Sequence, residues 1–329
     1  MRKGRTPAFR DAAGVLAGSV AEAGTMRIGG IDQWVLLRGR DVGNPLLVYL
    51  HGGPGSSETG FVRAYNAELE DHYTVAYWDQ RGAGRSFSPE IPVASMTIEQ
   101  FLADLDELVD LLLARFGKTK LVVVGHSWGS AIGALYAARH PAKVAAYVGV
   151  GQVADMAASE AASFAFVVSE AERRGNGKAL AALRALGPPP HELKALAQQR
   201  RWLNAFGGAT GPNLGLSAMT WKALRTPEAS LWDFVRLVRG SLFSLHALWS
   251  DLMSLQLERE AARFEVPVFF VLGRRDMQVV AEVSARYFET IEAPLKELVW
   301  FEQSGHFSAF EEPEKFHRLM IETVRPQAG

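Results

Sequence analysis

The sequence contains no cysteine. Disulfides, thiolate nucleophiles and cysteine-ligated zinc or iron–sulfur sites are therefore excluded, and a cytoplasmic location is the expectation for a chain that uses none. It also lacks an excess of either charge: 35 Lys and Arg stand against 36 Asp and Glu, a formal net charge of −1. Nothing electrostatic points to nucleic acid or an anionic membrane as a partner. No run approaches the roughly 20 mostly apolar residues needed to span a bilayer. Residues 241–257 come nearest, and His246, Ser250 and Asp251 interrupt them. The basic start Met1-Arg2-Lys3-Gly4-Arg5 leads into an Ala- and Gly-rich stretch bracketed by Asp11 and Glu22, which is not the apolar core of a secretory signal. Internal repeats, low-complexity tracts and Walker-type phosphate loops are absent as well. What remains is a chain of 329 residues, 48% hydrophobic and 22% charged. That is the composition of an ordinary globular protein, long enough to bury a large core.

The first 150 residues alternate between short apolar runs and helical patterns. Trp34-Val35-Leu36-Leu37-Arg38, Leu46-Leu47-Val48-Tyr49-Leu50, Thr74-Val75-Ala76-Tyr77-Trp78, Leu121-Val122-Val123-Val124 and the stretch 145–150 read as strands, several of them apolar on both faces. Thr97 with Gln100 has the form of a capping box. Phe101, Leu105, Leu108 and Leu112 keep helical spacing, and Gly117 suits the C-terminal cap. From about 153 to 264 the pattern is helical. Strand signals resume with Val268-Phe269-Phe270-Val271-Leu272 and Glu297-Leu298-Val299-Trp300-Phe301. The expected fold is α/β, a mostly parallel sheet with helices on both faces and a helical cap insertion. The expected division is 1–152 and 265–329 for the sheet domain and 153–264 for the cap.

Gly125-His126-Ser127-Trp128-Gly129 is a G-x-S-x-G pattern between a strand and a helix of small residues. A serine hydroxyl is a poor nucleophile unless a base takes its proton, and this turn holds the hydroxyl out at the sheet edge. The order Ser, acid, His then points downstream. Asp276 follows the strand 268–272, and His306 follows the strand 298–301, in Ser304-Gly305-His306-Phe307. Both stand where strand C-termini deliver residues to the open edge of a parallel sheet. His306 is the expected base and Asp276 the acid that orients it; Asp155, after the preceding strand, is the competing acid. His51, His72, His140, His191, His246 and His317 have no such context. The oxyanion hole would use the Trp128 N–H and an N–H from His51-Gly52-Gly53-Pro54-Gly55, with Gly53 first and Gly52 next. Gly149-Val150-Gly151 is only a partial dinucleotide-binding pattern, with no acidic residue ending a second strand. No cofactor and no metal are expected.

These segments, with Asp79-Gln80-Arg81-Gly82-Ala83-Gly84-Arg85-Ser86, resemble the prolyl aminopeptidase (proline iminopeptidase) family of α/β-hydrolases, peptidase family S33. The matching motifs lie between about 34 and 312, outside the cap. The resemblance implies a serine hydrolase that cleaves an ester or amide bond of a small molecule or short peptide through an acyl-enzyme. A carboxylesterase for small hydrophobic or aromatic acyl groups is the alternative, and a non-catalytic ligand-binding protein is a third reading. Family members that remove N-terminal proline are understood to hold the amino group with cap glutamates in a Trp-Glu context. The comparable stretch, Arg200-Arg201-Trp202-Leu203-Asn204, has no acid beside the tryptophan. Glu160, Glu170, Glu172, Glu228, Asp233 and Asp251 are the candidate amine partners. Trp202, Trp221, Trp232 and Trp249, with Phe164, Phe166, Phe206, Phe234 and Phe243, are expected to pack the cap's core, some of them lining an apolar pocket above Ser127.

Overall fold

A computed structural model describes residues 5–328; residues 1–4, which carry most of the basic start, and Gly329 lie outside it. The strands are β1 (Arg10–Asp11), β2 (Gly14–Val15), β3 (Val20–Ile28), β4 (Ile31–Gly39), β5 (Leu46–Leu50), β6 (Thr74–Trp78), β7 (Leu121–His126), β8 (Val144–Val150), β9 (Val268–Gly273) and β10 (Lys296–Phe301). The helices are α1 (Thr59–Tyr65), α2 (Ile98–Phe116), α3 (Trp128–Arg139), α4 (Met156–Arg173), α5 (Gly177–Leu186), α6 (Leu193–Phe206), α7 (Leu216–Ala223), α8 (Leu231–Ser254), α9 (Leu257–Glu260), α10 (Ala281–Thr290), α11 (Ser308–Glu311) and α12 (Pro313–Arg318).

Eight strands form one sheet in the order β10-β9-β8-β7-β5-β6-β4-β3. The six from β10 to β6 are parallel, and β4 and β3 continue antiparallel. The strand period of two sorts each central strand between two cores. Leu46, Val48 and Leu50 of β5 face one core, while Leu47 and Tyr49 face the other. In β9, Val268, Phe270 and Leu272 alternate in the same way with Phe269 and Val271. Helices α2, α3 and α10 fill the first core; α1 and α12 help fill the second. A chain buried on both faces has to read as an uninterrupted apolar run, and that is the signal β5, β7 and β9 carry.

The strand β3 is absent from the sequence reading. Its residues, Val-Ala-Glu-Ala-Gly-Thr-Met-Arg-Ile, have low strand propensity and are mostly exposed. Nine paired positions along β4 hold it in place. The start of α2 departs from a capping box in one half. Thr97 Oγ1 accepts from Gln100 N, but the Gln100 side chain donates to Asp104 instead of returning to the cap.

Between β8 and β9 the described residues form helices α4–α9 and take part in two isolated bridges, Asp155 with Gln256 and Arg263 with Glu292 beyond β9. Helices α4, α5 and α6 share a small core of their own built on Val167, Leu183 and Leu203. The end of α8 is different: Leu248 and Leu252 join the core under the sheet. The inserted helices are thus anchored by α8 and rise above the sheet edge at α4–α6. No described helix is long and apolar enough to cross a membrane.

Candidate active site

Ser127 joins β7 to α3 and is the only non-glycine residue at positive φ among the described residues, at φ 52° and ψ −120°. An L-residue holds such a conformation only when its surroundings over-determine it. Ser127 N donates to Val150 O at 2.9 Å, and both Ser130 N and Ser130 Oγ donate to Ser127 O. The flanking glycines are required by space. A Cβ on Gly125 would lie 2.3 Å from Gly129 O, and one on Gly129 would lie 2.1 Å from Leu50 O. Trp128 is the first residue of α3, so its N–H has no acceptor within the helix.

The loops after β9 and β10 bring Asp276 and His306 together. His306 Nδ1–H donates to Asp276 Oδ2 at 2.7 Å, with both residues about 1% exposed. Gln278 N and Val279 N donate to Asp276 Oδ1, each at 2.9 Å, which orients the carboxylate. With its proton on Nδ1, a neutral imidazole offers Nε2 as the basic atom. His306 Nε2 is buried and has no hydrogen-bond partner among the described residues, Ser127 Oγ included. His306 N donates to Ala209 O at 2.9 Å, so the stretch after α6 helps place this imidazole. Glu311 braces the same loop: its carboxylate accepts from Gly305 N, Phe307 N and Gly211 N. Burial pushes its pKa up to about 7 against those three donors.

Two site residues escaped the sequence reading. His126 Nδ1–H donates to Glu58 Oε1 at 2.7 Å, and Nε2–H donates to the main-chain O of His306 at 3.0 Å. A carboxylate and a carbonyl can only accept, so this ring carries both protons and is an imidazolium. Burial opposes its charge, but Glu58 outweighs burial and raises the His126 pKa. Burial likewise opposes ionisation of Glu58, and His126 prevails, holding the carboxyl below its usual range. Tyr49 OH donates to the other Glu58 oxygen. The His126 and His306 ring centroids are 4.9 Å apart. The single sequence signal for Glu58 is that it is the one carboxylate in the turn-rich stretch after β5.

Gly53 lies in that stretch at φ 118°, a conformation that favours glycine. His51 braces it. Its Nδ1–H donates to Gly52 O, its Nε2 accepts from Gln80 N, and its main-chain O accepts from Gln80 Nε2. Burial lowers the His51 pKa, in keeping with this neutral tautomer. Gln80 Oε1 also accepts from Trp128 Nε1, which ties the loop to the start of α3. The rest of segment 79–86 supports the site from behind. Arg81 pairs with buried Asp104 through Nε at 2.8 Å and Nη2 at 3.0 Å, and Asp79 accepts from Ser57 Oγ and Arg85 N.

Ser127, Gly53 and Trp128 open onto a cavity of about 210 Å³. Its walls are largely aliphatic: Val153, Met156, Leu196, Leu245, Leu252 and Val279. Of the cap aromatics, only Trp249 lines it. Trp202 and Phe206 pack the α4–α6 core, whereas Trp221 and Trp232 are exposed. The polar wall consists of Gln278 and Arg200. None of the candidate amine partners lines the cavity. Glu160 pairs with Arg200, Glu170 with Arg173 and Arg174, Glu172 with Arg184, Glu228 with Arg63, and Asp233 with Arg85.

Asp155 caps α4, accepting from Ala158 N at 2.9 Å, and makes no bond to His306. His317 bonds Asn66, and His140 lies beside Asp106. Gly151 serves packing: a Cβ there would sit 3.0 Å from His306 Nδ1.

A model of the alpha/beta hydrolase fold matches residues 45–313. A probable aminopeptidase, YbaC of Bacillus subtilis, is 33% identical over 309 residues, covering 93% of this chain and 97% of the relative. A proline iminopeptidase of Saccharolobus solfataricus is 24% identical over 315 residues, 92% of each chain. Among solved structures, a proline iminopeptidase of Mycobacterium smegmatis superposes with a TM-score of 0.67 at 18% identity, over 93% of this chain and 99% of that one.

Proposed function

From the premise that this chain belongs to the α/β-hydrolase fold family, as a serine hydrolase resembling prolyl aminopeptidases, we propose that it cleaves an ester or amide bond through an acyl-enzyme on Ser127. The observation that carries this reading is the buried His306–Asp276 pair, with Nε2 left unpartnered, at the sheet edge that also presents the strained Ser127. Ser127 Oγ attacks the scissile carbonyl carbon while His306 Nε2 takes the hydroxyl proton. Asp276 stabilises the resulting imidazolium. The N–H groups of Gly53 and Trp128 donate to the oxyanion of the tetrahedral intermediate. His306 then protonates the departing amine or alcohol. Water, deprotonated by the same nitrogen, attacks the acyl-serine and releases the acid. The helices of 153–264 act as the cap that decides which acyl groups reach Ser127.

A carboxylesterase for small acyl groups is the second reading. The absence of any carboxylate from the cavity lining favours it. A fluorophosphonate probe should label the wild type and not Ser127→Ala. Turnover of proline-naphthylamide against p-nitrophenyl acetate and longer acyl esters then separates the two activities. A wild type that the probe leaves unlabelled, under conditions that label a known serine hydrolase, rejects both.

A further inference from the structure

We infer that Arg200 makes the cavity over Ser127 selective for acyl groups that carry an anion, such as the free carboxylate of a dicarboxylic monoester or monoamide. The inference rests on the serine-hydrolase reading and names the substrate class of that same site.

The charge distribution of the cavity supports it. Arg200 is the one charged side chain in the lining. It is held by Glu160 on α4, and the two partners are unequally placed: the arginine side chain is 20% exposed and the glutamate 2%. The exposed end of the pair is therefore the cation. Glu160 stands behind it and fixes the direction of the guanidinium. Of the five donors of a guanidinium, Nη2 supplies one to Glu160 and Nη1 one to Gln199 Oε1. The Nε–H and one N–H on each terminal nitrogen have no partner among the described residues, and a guanidinium with free N–H groups is a suitable donor to a carboxylate.

The rest of the cavity sharpens this preference. Six aliphatic side chains and two indoles, both with their N–H groups already bonded to protein acceptors, give no other charge for a ligand to meet. A carboxylate that reaches Arg200 meets a cation already held in place by Glu160 and Gln199. An ammonium group, such as the free N-terminus of a peptide, would meet the same guanidinium and find Glu160 already engaged. About 210 Å³ admits a short chain between Ser127 and Arg200 rather than a long lipid tail.

The test compares three chromogenic substrates on the full chain: p-nitrophenyl hemiglutarate, its neutral counterpart of equal carbon count p-nitrophenyl valerate, and the cationic proline p-nitroanilide. The expected result is a kcat/KM for hemiglutarate about tenfold or more above valerate, carried mainly by KM, with proline p-nitroanilide slowest. Arg200→Met combined with Glu160→Gln removes the cation without stranding a buried carboxylate. Probe labelling and melting report that it has folded, and its hemiglutarate-to-valerate ratio should fall towards one. Arg200→Lys, which keeps a cation against Glu160, should retain part of the preference. A wild type that turns over valerate at least as fast as hemiglutarate overturns the inference while leaving the hydrolase intact. So does a preference that survives the double substitution. Absence of both ester turnover and probe labelling would instead defeat the hydrolase reading itself.

Discussion

The imidazolium of His126 donates through Nε2 to the main-chain oxygen of His306 at 3.0 Å. The residue before Ser127 is thereby tied to the loop of His306. Glu58, at 2.7 Å from the other nitrogen, supplies the charge that keeps the ring doubly protonated. This buried pair is a positioning device. It holds two loops from distant parts of the chain in one arrangement.

Glu58→Gln should therefore cost stability and turnover together. Removing one partner of a buried pair leaves the other charge uncompensated, at a cost on the order of 3 kcal/mol. Urea unfolding measures that loss, and kcat on p-nitrophenyl acetate should fall with little change in KM. A variant as stable and as active as the wild type would show that the pair is incidental.

The same pair carries a pH signature. Glu58 is held below its ordinary value of 4.5, so its stabilisation is present above 4.5 and lost as pH falls through the folded pKa. His126 is held above its ordinary 6.5, so its stabilisation is present below 6.5 and lost as pH rises through the folded pKa. The pair contributes most between those two values. His51, which burial pushes down, works the other way, contributing stability above 6.5 that is lost as pH falls through its folded pKa. The measurement is the stability difference between wild type and Glu58→Gln across pH, in which the burial part of the His51 contribution is common to both proteins. A difference that is flat from acid to alkaline pH would contradict the pairing.

Asp276→Asn should leave the fold intact and lower kcat by about 10⁴, because the amide disfavours the tautomer that exposes Nε2 as a base. Asp155→Asn should do far less. It alters a helix cap, a position that asparagine also fills well. Steady-state kinetics of the two variants decide between the two acids. Loss of activity in Asp155→Asn alone would reverse the assignment.

Gly129→Ala should unfold or severely destabilise the protein. The added methyl would sit 2.1 Å from a main-chain oxygen of β5, which no rotamer change can relieve, and overpacking of this kind costs about 1–3 kcal/mol or more. Thermal melting tests this, with Gly117→Ala as a contrast. Gly117 has nothing within 4 Å of a Cβ and is constrained only by φ 61°.

Glu311→Gln should lower kcat while leaving KM for a neutral ester nearly unchanged. The carboxylate offers two oxygens to three N–H groups, on Gly305, Phe307 and Gly211. A glutamine offers one oxygen and would point an NH₂ group at donors. Kinetics on p-nitrophenyl valerate measure the effect, and an unchanged kcat would remove Glu311 from the support of the His306 loop.

Much of this architecture is written locally. Leu46–Leu50 and Val268–Gly273 are apolar on both faces because the strands are covered on both faces, and that leaves a mark in consecutive residues. The turns after β7, β9 and β10 carry Ser127, Asp276 and His306, so these candidates were legible as types of residue at particular places. The strand β3 was not, because its pairing with β4, and not its own composition, makes it a strand.

By itself, then, the sequence determined the alternating α/β plan, the strand-to-helix turn at Ser127 and the short roster of residues proposed to serve it. Only the tertiary structure decided who meets whom. Asp276 reaches His306 across 30 residues, Glu58 reaches His126 across 68, and Arg200 reaches Glu160 across 40. Strand and helix periods are properties of neighbouring residues and survive in the order of the letters. A charge pair depends on where two loops end in space, and the same Asp, Glu or Arg is a solvated surface residue until packing removes the water around it.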